Sequence, residues 1–172
     1  MANYFSFIST HIDEERDDFY HNTQLKEKRL SIGWGEINPL NKSEPEIKRI
    51  IEEFYPEYKG TNNPDNASKS LSMFSNLYPG DIVFVRGRAK ILDVVVINGI
   101  PVFDRTGHYD GDYYLKVSFV PLFESKLTIL ETRLITEDIY NDVLFAEGRT
   151  IVIRKLNETV AIKLFKTIFD HT

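Results

Sequence analysis

Ile91-Leu92-Asp93-Val94-Val95-Val96-Ile97-Asn98-Gly99 is the stretch that decides the fold. It is short, β-branched and interrupted by a single polar residue, which favours a strand over a helix. Val94 to Ile97 is apolar at every position, so both faces of this strand must be covered; that is the mark of a central strand. Asn98-Gly99 is a strong two-residue hairpin signal and predicts that the next segment, Ile100 to Phe103, folds back on the first. Outward from here, Ile82 to Val85 and Tyr114 to Val120 have the same β-branched or aromatic character. Gly87 and Gly111 punctuate the run, and Pro79-Gly80-Asp81 marks its start. Strands spaced this closely predict a curled mixed sheet or small barrel.

Helical patterns surround the strands. Residues 3–9 read as a first strand, and the acidic stretch Asp13 to Asp18 as a loop or short helix. Leu30-Ser31-Ile32 is a short second strand ending at Gly33-Trp34-Gly35. The two glycines give either a close backbone approach beside Trp34 or a bulge that packs Trp34 into the core. Ser43 with Glu46 forms a capping box for a helix over 44–55, with Ile47, Ile50, Ile51 and Phe54 on one face. Asn63 caps a second helix with Pro64 at its first position, and Ala67, Leu71 and Phe74 mark its buried stripe. Further on, Thr136 caps a helix to about Phe145, and Gly148 precedes a strand from Thr150 to Arg154. A last helix, Asn157 to Phe169, carries Val160, Leu164, Phe165 and Ile168 on one face. The class is α+β.

Composition removes several functions. With no cysteine among 172 residues, disulfides, thiol catalysis and thiolate zinc are excluded. No run approaches the ~20 apolar residues of a membrane span, and residues 1–10 lack a signal-peptide pattern. The expectation is a cytoplasmic protein without membrane contact. A net charge of −5 argues against a general nucleic-acid coat but not against a domain that reads one base. Two basic clusters, Lys26/Lys28/Arg29 and Arg86/Arg88/Lys90, are either solvated surface or phosphate contacts. His11, His21, His108 and His171 have no metal-ligand spacing. Phosphate-loop and serine-elbow motifs are absent, and no carboxylate pair stands out for acid–base work. A binding module without cofactor or catalytic residue is expected. The competing reading is a small metal-dependent nuclease or hydrolase using Asp104, His108, Asp110 and Asp112; a blander one is a peptide-binding domain.

Arg29-Leu-Ser-Ile-Gly-Trp34, the helix at 44–55, Pro79-Gly-Asp-Ile-Val83, Asn98-Gly99 and Leu115-Lys-Val-Ser-Phe119 occur in an order that resembles the PUA-like superfamily, in its EVE and YTH branches. Within it, the pattern is most similar to the N-terminal specificity domain of McrB-type modification-dependent restriction proteins. The resemblance covers residues 3 to about 122, implying a base-recognition domain over 1–124. Residues 125–172 are then an α/β extension packed on the same domain. It implies a DNA-binding domain that flips a methylated base into an aromatic cage, N6-methyladenine ahead of 5-methylcytosine, with methylated RNA a further ligand. It also implies a fused or partner motor ATPase and a nuclease subunit. Trp34 would be the main cage wall, with Phe103, Tyr109 and Tyr113 competing for the second. Ser9, Thr10 and His11 would lie at the pocket edge, and Ser9, Thr10 or Asn41 would meet the base edge. Arg86, Arg88 and Lys90 would hold flanking phosphates, which position a strand without specifying it.

Overall fold

The central strands are buried on both faces. In the computed structural model, which describes residues 1–9, 16–34, 36–87, 90–106, 113–124, 130–131, 135 and 152–171, the elements run as follows. They are β1 (Tyr4–Ile8), α1 (Arg16–Phe19), a π-helical turn (Tyr20–Gln24), α2 (Leu25–Glu27), β2 (Arg29–Ile32), α3 (Glu44–Phe54), a 3-10 turn (Pro56–Tyr58) and α4 (Asn63–Ser75). Then come β3 (Ile82–Arg86), β4 (Lys90–Ile97), β5 (Val102–Phe103), β6 (Leu115–Pro121), β7 (Leu130–Glu131), β8 (Ile153–Leu156) and α5 (Glu158–Asp170). Val83, Val85, Val95 and Ile97 enter one hydrophobic layer, with Phe5 and Phe7 from β1 and Ile47, Ile51, Leu71 and Phe74 from α3 and α4. Phe84 and Val94 enter the opposite layer, beneath Val160, Leu164 and Ile168 of α5. Each such side chain contributes about 1.5–3 kcal/mol when fully buried; Val94, Val95 and Ile97 are covered in this way, while Val96 is only partly buried.

The sheet order is β2-β6-β4-β3-β1-β8, with β5 on β6 and β7 on β4. β1 and β3 are parallel, the chain crossing between them through the helices, and the other pairings are antiparallel. The sheet is strongly curled, and β6 shows how. Its first half, Leu115 to Ser118, pairs with β2, while its second half, Phe119 to Pro121, pairs with β4. A further irregularity lies between Val85 and Arg86, where β4 carries one surplus residue.

The Asn98-Gly99 hairpin does not form. β5 pairs with β6, not with β4, and it lies on the same edge of β6 that β4 occupies. From Ile97↔Phe119 to Val102↔Lys116 the chain advances five residues against three on β6 (102 − 97 and 119 − 116). Two residues are therefore surplus and bulge outward. Asn98 donates its N–H to the Ser118 carbonyl at 3.1 Å. A Cβ at Gly99 would run into the Ser118 hydroxyl. Glycine is present for close approach to β6, not for a turn.

Other local signals fare better. Ser43 and Glu46 exchange the two capping-box bonds, at 3.3 and 2.7 Å, and Ile47 and Ile51 are buried. Phe54, placed on the same stripe by its spacing, is 57% exposed because α3 ends there. The second helix starts at Asn63, with Asn62 as cap residue, and the Asn63 N–H is taken by the Thr61 hydroxyl. Asp81 staples the start of β3, accepting from the Tyr78 N–H at 2.9 Å and from the Asn3 N–H and side-chain amide at 3.2 and 3.1 Å. Gly80 supplies the positive φ of 98° that this turn requires. The helix expected over 136–145 lies outside the described residues, as does the start of the strand expected from Thr150. β8 joins the sheet beside β1, and α5 is capped by the Asn157 side chain.

Replacing Gly99 with Val should destabilise the protein by ~1–3 kcal/mol, through crowding against the Ser118 side chain. Adding Ser118→Gly should recover part of that loss in denaturant melts. No recovery would mean the glycine is required by backbone conformation instead.

Candidate aromatic site

Trp34 stands where β2 leaves the sheet. The β2 side chains Leu30 and Ile32 are buried, which fixes the strand, and the chain then turns so that Ile37 donates to the Trp34 carbonyl at 3.3 Å and re-enters the core. Trp34 itself is half-buried and rests on the larger hydrophobic layer. Two tyrosines support it from the side. Tyr55 and Tyr58 meet the indole edge-on, with centroids at 5.8 and 5.9 Å and interplanar angles of 77° and 81°. Pro56 between them sets the 3-10 turn, and in such a turn side chains three apart eclipse, so both rings face the same way. Their own centroids are 5.7 Å apart. A base sandwiched between two rings needs parallel planes ~7 Å apart, two van der Waals thicknesses. These rings fill one another's space, leaving no slot between them for a flat ligand.

A polar network runs from β2 to the segment after β5. Arg29 donates two bonds to Asp104, at 3.0 and 3.1 Å, and Asp104 also accepts from Thr106. The Thr106 hydroxyl and N–H, followed by the Arg29 guanidinium, draw the Asp104 carboxyl down to about 2. Lys116, its side chain 1% exposed, donates to the Thr106 carbonyl at 2.8 Å, and burial pulls its pKa below the usual lysine value. The Asp104 N–H donates to the Tyr114 carbonyl at 2.7 Å, joining the described chain on either side of residues 107–112. Arg105 lies over the rings of Phe103 and Tyr114, 6.0 and 5.8 Å from their centroids, and forms an ion pair with Glu36. Through that pair the 103–106 segment touches the chain two residues beyond Trp34.

The sequence candidates are scattered more widely than expected. Phe103 meets Tyr114, at 5.7 Å. Tyr113 packs on buried Phe19, also at 5.7 Å. The rings that flank Trp34 are Tyr55 and Tyr58, which sequence reasoning passed over, although two tyrosines three apart around a helix-ending proline are a usable signal. Ser9 is fully buried and its hydroxyl donates to Gln24 at 2.7 Å, so it is a core group and not a pocket edge. Gln24 in turn donates to Ser31. Asn41 is exposed with a φ of 60°, a left-handed turn position that by itself favours asparagine. Arg86 is 7% exposed, which withdraws it from a phosphate role. Lys90 is half-buried. Thr10, His11, Tyr109 and Arg88 lie outside the described residues.

The metal reading rests mainly on His108, Asp110 and Asp112, which also lie outside the described residues. Its remaining member, Asp104, is committed to Arg29 and Thr106. Among the described residues no group of three or more His, Asp or Glu is placed to hold a metal ion. Nor is any described helix long and apolar enough to cross a membrane. One other buried polar pair, Tyr20 and Asp93, is bonded at 2.8 Å; burial, with the Asp93 carboxylate beside it, pushes the phenol far above its ordinary value, so it remains a donor.

A family model described as a domain of unknown function, DUF8426, matches residues 9–119, and the chain belongs to that family. A search of curated proteins finds no match to the chain.

Because the native state holds the Asp104 carboxyl below its ordinary value, the stabilisation it gives is present above about pH 4. It is lost as pH falls through about 2. Asp104→Asn should flatten the decline in melting temperature between those pH values; an unchanged acid limb would place the pH sensitivity elsewhere.

Proposed function

We propose that this chain is a nucleic-acid-binding module that takes an unstacked base onto the indole of Trp34, a methylated base in preference to an unmodified one. The observation that carries the reading is a partly buried Trp34 at a strand end, held by two edge-on tyrosines and backed by the core. Rigid support matters because a ring already fixed in place loses little freedom when a base stacks on it. Stacking returns ~1–3 kcal/mol per base, against a cost of a few kcal/mol for extrusion from a duplex. One methyl group adds ~1–3 kcal/mol of discrimination. The net charge of −5 suits recognition that depends on the base more than on a general phosphate field.

The choice of N6-methyladenine ahead of 5-methylcytosine, and of DNA ahead of RNA, rests on the resemblance to EVE and YTH domains. So does the proposal that the module directs a restriction complex with a motor ATPase and a nuclease subunit.

Trp34 is the sole tryptophan, so its emission reports directly on the site. Oligonucleotides carrying one N6-methyladenine or one 5-methylcytosine should quench it and bind about 10–200-fold more tightly than unmodified strands. Trp34→Phe should keep the fold and weaken methylated-strand binding, measured by anisotropy of a labelled strand. Equal affinities for modified and unmodified strands would refute methyl reading. Absence of binding to both DNA and RNA would refute the module.

A further inference from the structure

We propose that Arg105 is the residue through which this site grips a phosphodiester, and that Glu36 occupies Arg105 until a strand arrives. This rests on the reading of Trp34 as the base-stacking surface and adds to it a phosphate contact with a built-in competitor.

Arg105 has what a phosphate contact needs. Its side chain is 60% exposed, yet its guanidinium is steered by two rings, Phe103 and Tyr114, themselves set edge to face at 76°. Cation–π placement of this kind orients the planar donor fork while leaving its N–H groups for an anion. Its partner Glu36 is also half-exposed, at 50%. An ion pair between two such exposed side chains contributes little, so exchanging its carboxylate for a phosphate is cheap. The neighbouring pair is different. Arg29 and Asp104 are 31% and 24% exposed, and Asp104 is further bound by Thr106. That pair is structural and holds the 103–106 segment in place while the Arg105–Glu36 pair opens.

Position links the exchange to the base. Glu36 lies two residues beyond Trp34, and its turn is fixed by the Ile37 bond to the Trp34 carbonyl. In this proposal, the backbone of a strand whose base rests on the indole passes the Glu36–Arg105 pair. Glu36 lowers the attraction of Arg105 for any phosphate, and in an acidic chain this suppresses binding that lacks the stacking contribution.

The experiment is a salt titration of strand binding by wild type, Glu36→Gln, Arg105→Ala and the double variant, with methylated and unmodified oligonucleotides. Both positions are exposed, and thermal melts would confirm that the variants fold. Arg105→Ala should weaken binding of both strands and reduce the slope of log affinity against log salt by about 0.7–0.9. Glu36→Gln should tighten both strands by a similar factor, several-fold, leaving the methyl preference unchanged. In the double variant that gain should vanish. A gain that persists without Arg105 would mean Glu36 acts only through bulk charge, and an unaltered slope in Arg105→Ala would overturn the contact. A lost methyl preference with an Arg105-dependent slope intact would instead sink the base-reading proposal and leave this one standing. A wild-type chain that binds neither strand sinks both.

Discussion

The curl of the sheet depends on one strand being shared between two partners. β6 is held by β2 along its first half and by β4 along its second, while β5 takes up the β4 edge again after the two-residue bulge. A flat continuation would require β4 to pair along the whole of β6. The surplus at 98–101 prevents that, and Ser118 against Gly99 sets how closely the two chains approach. Everything described at the aromatic site follows from this. β2 reaches the end of the sheet because β6 carries it there, and Trp34 emerges where β2 ends. The segment after β5 comes alongside because β5 and β2 flank opposite edges of the same residues, Leu115 and Lys116.

The aromatic cluster combines rigidity with a restricted opening. Trp34, Tyr55 and Tyr58 are within 6 Å of one another and use up each other's edges, so the cluster cannot receive a ring into its centre without repacking. Edge-to-face pairs contribute ~0.5–1.5 kcal/mol each beyond burial, which opposes such repacking. On the proposed reading, the remaining capacity is an outer face of the indole. A platform of this type discriminates poorly by shape, and selectivity has to come from polar groups around it. The Ser9 hydroxyl is unavailable for this because Gln24 holds it, and Asn41 is exposed at a left-handed turn.

Elements set by local rules were legible from the sequence. The capping box at Ser43, the buried stripe of α4 and the last helix beginning near Asn157 all depend on neighbours within four residues. They appear as read. What was illegible depends on partners distant in sequence. Asn98-Gly99 carries a genuine turn propensity, but Ser118 and the β6 edge override it. Ser9 reads as an ordinary polar residue at a strand end, and only the π-helical turn brings Gln24 to its hydroxyl. Arg86 reads as surface charge, but β3 runs through the middle of the sheet and buries it. Of the rings expected as the second flank of Trp34, Phe103 and Tyr113 pack elsewhere and Tyr109 lies outside the described residues, while the described rings beside the indole come from the end of α3. The i, i+3 tyrosines around Pro56 were visible; what could not be seen is that α3 ends beside the β2 exit.

The segment 153–170 shares a core layer with the central strands. The family match spans 9–119 and includes β3 and β4, but α5 and β8 lie beyond it. Phe84, Ile91 and Val94 are all 0% exposed, and their layer is completed by Leu156, Val160, Ala161, Leu164 and Ile168. Without 153–170 those three side chains would face water, at a cost of roughly 1.5–3 kcal/mol apiece, a large share of the 5–15 kcal/mol that holds a typical domain together. The sheet would also lose β8, leaving β1 as an open edge. The C-terminal residues are therefore part of the same cooperative unit, covering the sheet face opposite α3 and α4. Trp34, by contrast, packs with the α3–α4 layer. The covering helix and the candidate site thus sit on different layers of one core, so sequence change in α5 can proceed without altering the surface that Trp34 presents.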